Sequence, residues 1–87
     1  MAKSKLVIQP GPYFYAAAKG ALAARGETIS DWAKSKGQTV TNLKTAMTGG
    51  ANGPKSIELR REITEYVGED MLRTLIEDRM RREGILR

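Results

Sequence analysis

Residues 28–47, TISDWAKSKGQTVTNLKTAM, leave this chain few ways to fold. They read as two short helices joined by a tight turn at Gly37. Thr28 is placed to cap the first, and Asp31 stands three residues on, where its carboxylate can accept from the cap's own N–H. Ile29, Trp32 and Ala33 then share one face at i, i+3, i+4 spacing. Gly37 ends that helix where a left-handed backbone is needed, a conformation that costs glycine no Cβ clash. Thr39 is placed to cap the second helix, whose inner stripe reads as Val40, Leu43, Ala46 and Met47.

The rest of that second helix is unusual. Thr41, Asn42, Thr45 and Thr48 are short polar residues, Lys44 is the one charge, and no acid is present. A helix that only faces solvent usually carries more Glu and Lys. Short donors and acceptors without negative charge suit a helix that enters a DNA groove. Trp32-Ala33, Gly37, and Leu43 with Ala46 match the helix-turn-helix pattern: a small residue in the first helix, glycine four residues later, and apolar residues six and nine after the glycine. The segment from about Tyr13 to Met71 resembles a phage Cro/Ner-type regulator of the lambda-repressor-like fold. Ala17 to Gly26 is similar to that family's first helix, and a Gly/Pro loop with a fourth helix ending in Tyr66-Val67-Gly68 follows in the right order. Lys36 and Gln38 depart from the pattern, since the family carries apolar residues there to pack the turn.

The resemblance implies an all-α domain of about five helices, with an extra C-terminal helix. It implies a sequence-specific double-stranded DNA-binding regulator, phage or prophage derived, with its third helix (about 39–48) in the major groove. Occupying a promoter would then block RNA polymerase, or recruit it through a contact. Recombination accessory factors and DNA-packaging subunits use such modules too, so an architectural role is an alternative. A small helical adaptor that binds a protein is another.

Composition narrows the chemistry. With 87 residues the chain makes one domain with a small core. Cysteine and histidine are both absent. Disulfides and thiolate metal sites are therefore excluded, and the commonest general base and metal ligand is missing. We expect neither an enzyme nor a cofactor. Leu6-Val7-Ile8 is too short an apolar run for a signal-peptide core or a membrane span, so a cytoplasmic protein is the default. The formal charge of +5 is placed unevenly. Lys3, Lys5, Lys19, Arg25, Lys34, Lys36 and Lys44 face only Glu27 and Asp31 in residues 1–48, while later basic and acidic residues balance. The whole surplus lies on the half that carries the candidate reader, as a phosphate backbone requires.

Three segments follow. Residues 1–11 read as an arm without helix, because Pro10, Gly11 and Pro12 oppose one. Residues 12–68 form the helix-turn-helix domain. Its first helix runs from Pro12 to Arg25 with Phe14, Ala18, Ala21 and Leu22 inside. Its fourth starts at Pro54, turns Leu59, Ile63, Tyr66 and Val67 to the core, and stops at Gly68. The glycine-rich loop between Thr48 and Pro54 lacks a nucleotide-binding pattern and reads as a connector. Residues 69–87 form an amphipathic helix whose stripe, Leu72, Leu75, Ile76 and Met80, must be covered by the first helix or by a second copy in a homodimer. The arginines at its end read as a solvated terminus paired with Glu77, Asp78 and Glu83.

Candidate contacts with base edges are Thr39, Val40, Thr41, Lys44 and Thr45. Lysine donates to guanine O6 or N7, and threonine bonds a base edge or packs its methyl on thymine; the alternative for Lys44 is a phosphate contact, which positions the helix and specifies nothing. Gln38, Lys36 and Thr48 flank them. Lys3 and Lys5 on the arm would follow the backbone or enter the minor groove. Trp32, the only tryptophan, reads as core. Of Tyr13 and Tyr15, one is expected to face the core and the other to offer its hydroxyl to a phosphate.

Overall fold

A computed structural model describes residues 9–84, and among them the chain is all-helical. Five helices follow in order: α1 (Pro12–Ala24), α2 (Ile29–Ser35), α3 (Val40–Thr48), α4 (Pro54–Val67) and α5 (Glu69–Arg82). The first segment's lysines, Lys3 and Lys5, lie outside the described residues.

Local chemistry sets the boundaries. Proline opens α1 and α4, where its missing N–H belongs to the first turn and its fixed φ is already helical. Thr28 Oγ1 accepts from Asp31 N at 3.0 Å, and Thr39 Oγ1 accepts from Asn42 N at 3.0 Å, so both short helices are side-chain capped. The Asp31 carboxylate makes no return bond to Thr28 N–H among the described residues, so half of the expected box forms. Gly37 has φ +69, the left-handed turn required between α2 and α3. A single residue, Gly68 at φ +98, both ends α4 and begins α5. Alpha-helix α1 stops one residue before Arg25, which becomes its C-cap.

Helix α1 is the hub and packs against all four others. Its alanines allow this close approach: Ala17, Ala18 and Ala21 are buried beside Phe14 and Leu22. The shared core adds Trp32 and Ala33 from α2, Leu43, Ala46 and Met47 from α3, Leu59, Ile63 and Val67 from α4, and Leu72 from α5. Helix α5 folds back on α1, with Leu75 and Ile76 partly buried against that core and Leu75 Cδ1 facing Gly20. Of the two ways to cover the α5 stripe, the chain itself provides one.

Two core assignments are corrected. Val40 is 37 % exposed, so the inner stripe of α3 begins at Leu43. As the first residue of a nine-residue helix, Val40 lies ahead of the point where α3 meets the core. Tyr66 is 43 % exposed. Its ring edges Trp32 at 6.5 Å between centroids, and its hydroxyl donates to the Glu27 carboxylate at 2.8 Å. A phenol buried deeper would lose that partner, which explains why its apolar part alone is used.

Candidate nucleic-acid interface

The C-terminal end of α3 is tied down by three separate partners. Gly50 N–H donates to Thr45 O at 2.9 Å, Arg60 Nη1 to Ala46 O at 2.7 Å, and Gly11 N–H to Met47 O at 3.0 Å. Thr45 O also accepts from the cap Gly49 N–H, while Ala46 O and Met47 O, in the last turn, are satisfied by α4 and by the residue ahead of α1. Arg60 also reaches Ala51 O at 3.4 Å and so holds the glycine-rich loop to α4. Arg60 carries no sequence signal for this role, because its partners are backbone atoms of a distant segment. With one end anchored and Leu43, Ala46 and Met47 buried, α3 presents its first turn and outer face to solvent.

Thr39, Val40, Thr41, Asn42, Lys44 and Thr45 are all exposed on this surface. Thr39 is the cap. Thr45 Oγ1 donates to Thr41 O at 2.9 Å and Thr48 Oγ1 to Lys44 O at 2.9 Å. These hydroxyls keep acceptor capacity but spend their proton on the helix. Thr48 is also half-buried, and Thr45 turns its methyl toward Gly50. The residues with both polar functions open are therefore at the leading end, around Thr41.

The lysines divide into two groups. Lys36 Nζ lies 3.5 Å from Glu62 and 5.3 Å from the Trp32 ring centroid. Its stem covers the turn where an apolar residue was expected, and its charge is already paired. Gln38 is half-buried beside it, its N–H donating to Ala33 O at 2.9 Å. Lys44 is different. Its Nζ lies 5.8 Å from the centroid of the Tyr15 ring on α1, and Lys19 Nζ lies 5.4 Å from the same ring. Neither ammonium has a carboxylate within ion-pair distance among the described residues. Tyr13 is engaged elsewhere, donating its hydroxyl to Glu83 at 2.5 Å beneath Arg79. Tyr15 packs half-buried against the core, and its hydroxyl has no partner among the described residues.

The arginines of α4 and α5 are mostly neutralised. Arg61 pairs with Glu58 and Glu65, Arg73 with Glu69 and Asp70, Arg79 with Glu83, and Arg82 with Asp78. Arg81 alone of the terminal group has no carboxylate partner among the described residues. The unbalanced positive charge of the described residues thus concentrates on α1 to α3.

An open groove of about 380 Å³ between α2 and α4 is lined by Trp32, Tyr66, Glu27, Asp31, Ser35 and Lys36. Its polar rim is largely used internally, by Arg25–Glu27 at 3.7 Å and by Lys36–Glu62. Among the described residues no cluster of acids suits a metal ion, and no helix is long and apolar enough to cross a membrane.

Ionisation follows the same contacts. The hydrogen bond to Glu83 raises the Tyr13 pKa above its usual 10.0 and lowers that of Glu83. The Arg61 guanidinium lowers the Glu58 pKa. For the two carboxylates the folded pKa lies below the unfolded one, so their stabilisation is present above the usual carboxylate range and is lost as pH falls through the folded values. For Tyr13 the folded pKa is raised, so its contribution is present below pH 10 and is lost above it. Both windows lie outside neutrality. We expect the thermal midpoint to be flat from about pH 6 to pH 8. A midpoint that changes steeply in that interval would reveal a further titrating group.

Comparison with protein-family models, with curated proteins and with solved structures finds no match to this chain.

Proposed function

We propose that the chain is a sequence-specific double-stranded DNA-binding regulator, of the Cro/Ner, lambda-repressor-like kind, that reads the major groove with α3. The observation that carries this reading is the outer face of α3. It is acid-free, exposed from Thr39 to Thr45, and held from its far end by three carbonyl contacts. Val40 leaves 37 % of its surface exposed on this face, and a thymine methyl would cover it. The carbonyl anchors fix the helix so that its leading turn can enter a groove without being part of the core.

The adaptor alternative has less support. Its docking stripe on α5 is largely spent within the chain, with Leu72 fully buried and Leu75 and Ile76 packed on the core. A two-fold pair, which would let two copies read a two-part site, has the remaining rims of Leu75, Ile76 and Met80 to use. Occupancy of a promoter would block polymerase or recruit it by contact.

Equilibrium binding to a duplex across a salt series tests the proposal. Counterion release predicts a log–log slope of about −0.9 per phosphate neutralised. Thr41→Ala is expected to relax preference at one base pair, by about 1–3 kcal/mol, while leaving the fold intact. Affinity that ignores salt would contradict the proposal.

A further inference from the structure

The convergence of Lys19 and Lys44 on Tyr15 has no internal explanation. These two ammoniums come from different helices, lie 5.4 and 5.8 Å from one ring centroid, and lack a carboxylate among the described residues. Elsewhere the chain supplies such partners freely: four arginines of α4 and α5 each have at least one. The ring attracts each cation but neutralises neither. The arrangement becomes favourable when an anion joins it. The Tyr15 hydroxyl, with no partner among the described residues, adds a neutral donor on the side chain the two lysines share.

The direction of Lys44 also matters. Its ammonium lies back over α1, on the flank of α3. Base edges lie ahead of an inserted helix, in the groove, and phosphates lie beside it. We propose that Lys19, Lys44 and Tyr15 form a clamp for a DNA backbone phosphate at the junction of α1 and α3, so that Lys44 positions the reading helix and reads no base. This rests on the DNA-binding reading above and narrows its base-reading set to the leading turn, around Val40 and Thr41.

The test compares the unmodified protein with Lys19→Ala, Lys44→Ala and the double variant, on a duplex recovered by selection and on a scrambled duplex, at 50 and 200 mM salt. Both lysines are exposed, and circular dichroism checks that the fold is kept. Each single variant is expected to weaken binding to both duplexes by the same factor. Each should also flatten the fall in affinity between the two salt concentrations, by up to about 3.5-fold, the share of one phosphate. The double variant should lose less than the product of the two single losses, because both lysines hold the same phosphate. Tyr15→Phe should weaken both duplexes equally and by a smaller factor.

Three results would overturn the clamp and leave DNA binding standing. One is a Lys44→Ala loss confined to the selected duplex, which makes Lys44 a base reader. Lys19→Ala could leave both affinities unchanged. The two losses could multiply, placing the lysines on separate phosphates. An unmodified protein that binds neither duplex would overturn the functional reading itself, and the clamp with it.

Discussion

Trp32→Ala is expected to cost about 3–5 kcal/mol, the range for removing a buried tryptophan. Trp32 is 4 % exposed and is the largest side chain in the core. Its removal also takes away the surface under Lys36 Nζ and the ring beside Tyr66. A domain of this size has about 5–15 kcal/mol in total, so the loss is a large part of its stability. At about 4–8 °C per kcal/mol, the midpoint should fall by more than 10 °C, if a cooperative transition survives. Trp32→Phe keeps an apolar ring and should lose much less. Thermal unfolding followed by circular dichroism decides this. An unchanged midpoint with lost DNA binding would make Trp32 a surface contact instead.

Leu72→Ala is expected to cost about 2–5 kcal/mol, as a buried leucine leaves a cavity that the surrounding helices fill only partly. Leu72 is fully buried in the core shared with α1 and the rest. The prediction therefore tests whether α5 belongs to the domain or is an appendage. In urea, Trp32 fluorescence reports on the α2 region and circular dichroism on all helices. The two transitions should coincide in the unmodified protein and shift together in the variant. A loss below about 1 kcal/mol, or separate transitions, would mean that α5 detaches and that its apolar stripe is available to a partner.

The helices themselves were legible because their signals are local. Pro12 and Pro54 open helices, Thr28 and Thr39 cap them, and Gly37 and Gly68 close them, each within a few residues of the structure it dictates. The buried face was legible wherever a helix meets the core along its length, as in α1 and the second half of α3. Periodicity failed at Val40 and Tyr66, for one reason. Spacing reports which face a residue lies on, but it does not report how far along the helix the neighbouring elements extend. The candidate surface on α3 was visible as a run without acids, since charge composition survives folding. Its internal grading was not. Lys36 is neutralised by Glu62, which comes from α4, and Lys44 is drawn to Tyr15 on α1. Both partners are set by tertiary contact, so two lysines eight residues apart look alike in sequence and differ in the fold. Tyr15 and Lys19 stand four apart on α1, which makes their own contact readable, but the arrival of Lys44 depends on how α3 crosses α1.

The most direct test of the central claim is a selection of duplexes from a random library by the purified full chain. The account predicts a short enriched motif, with at least one thymine position whose preference is lost in Val40→Ala and a neighbouring position relaxed in Thr41→Ala. A palindromic motif would in addition report a two-fold dimer. Enrichment of no motif, or a motif that neither substitution alters, would contradict the claim that α3 reads base edges.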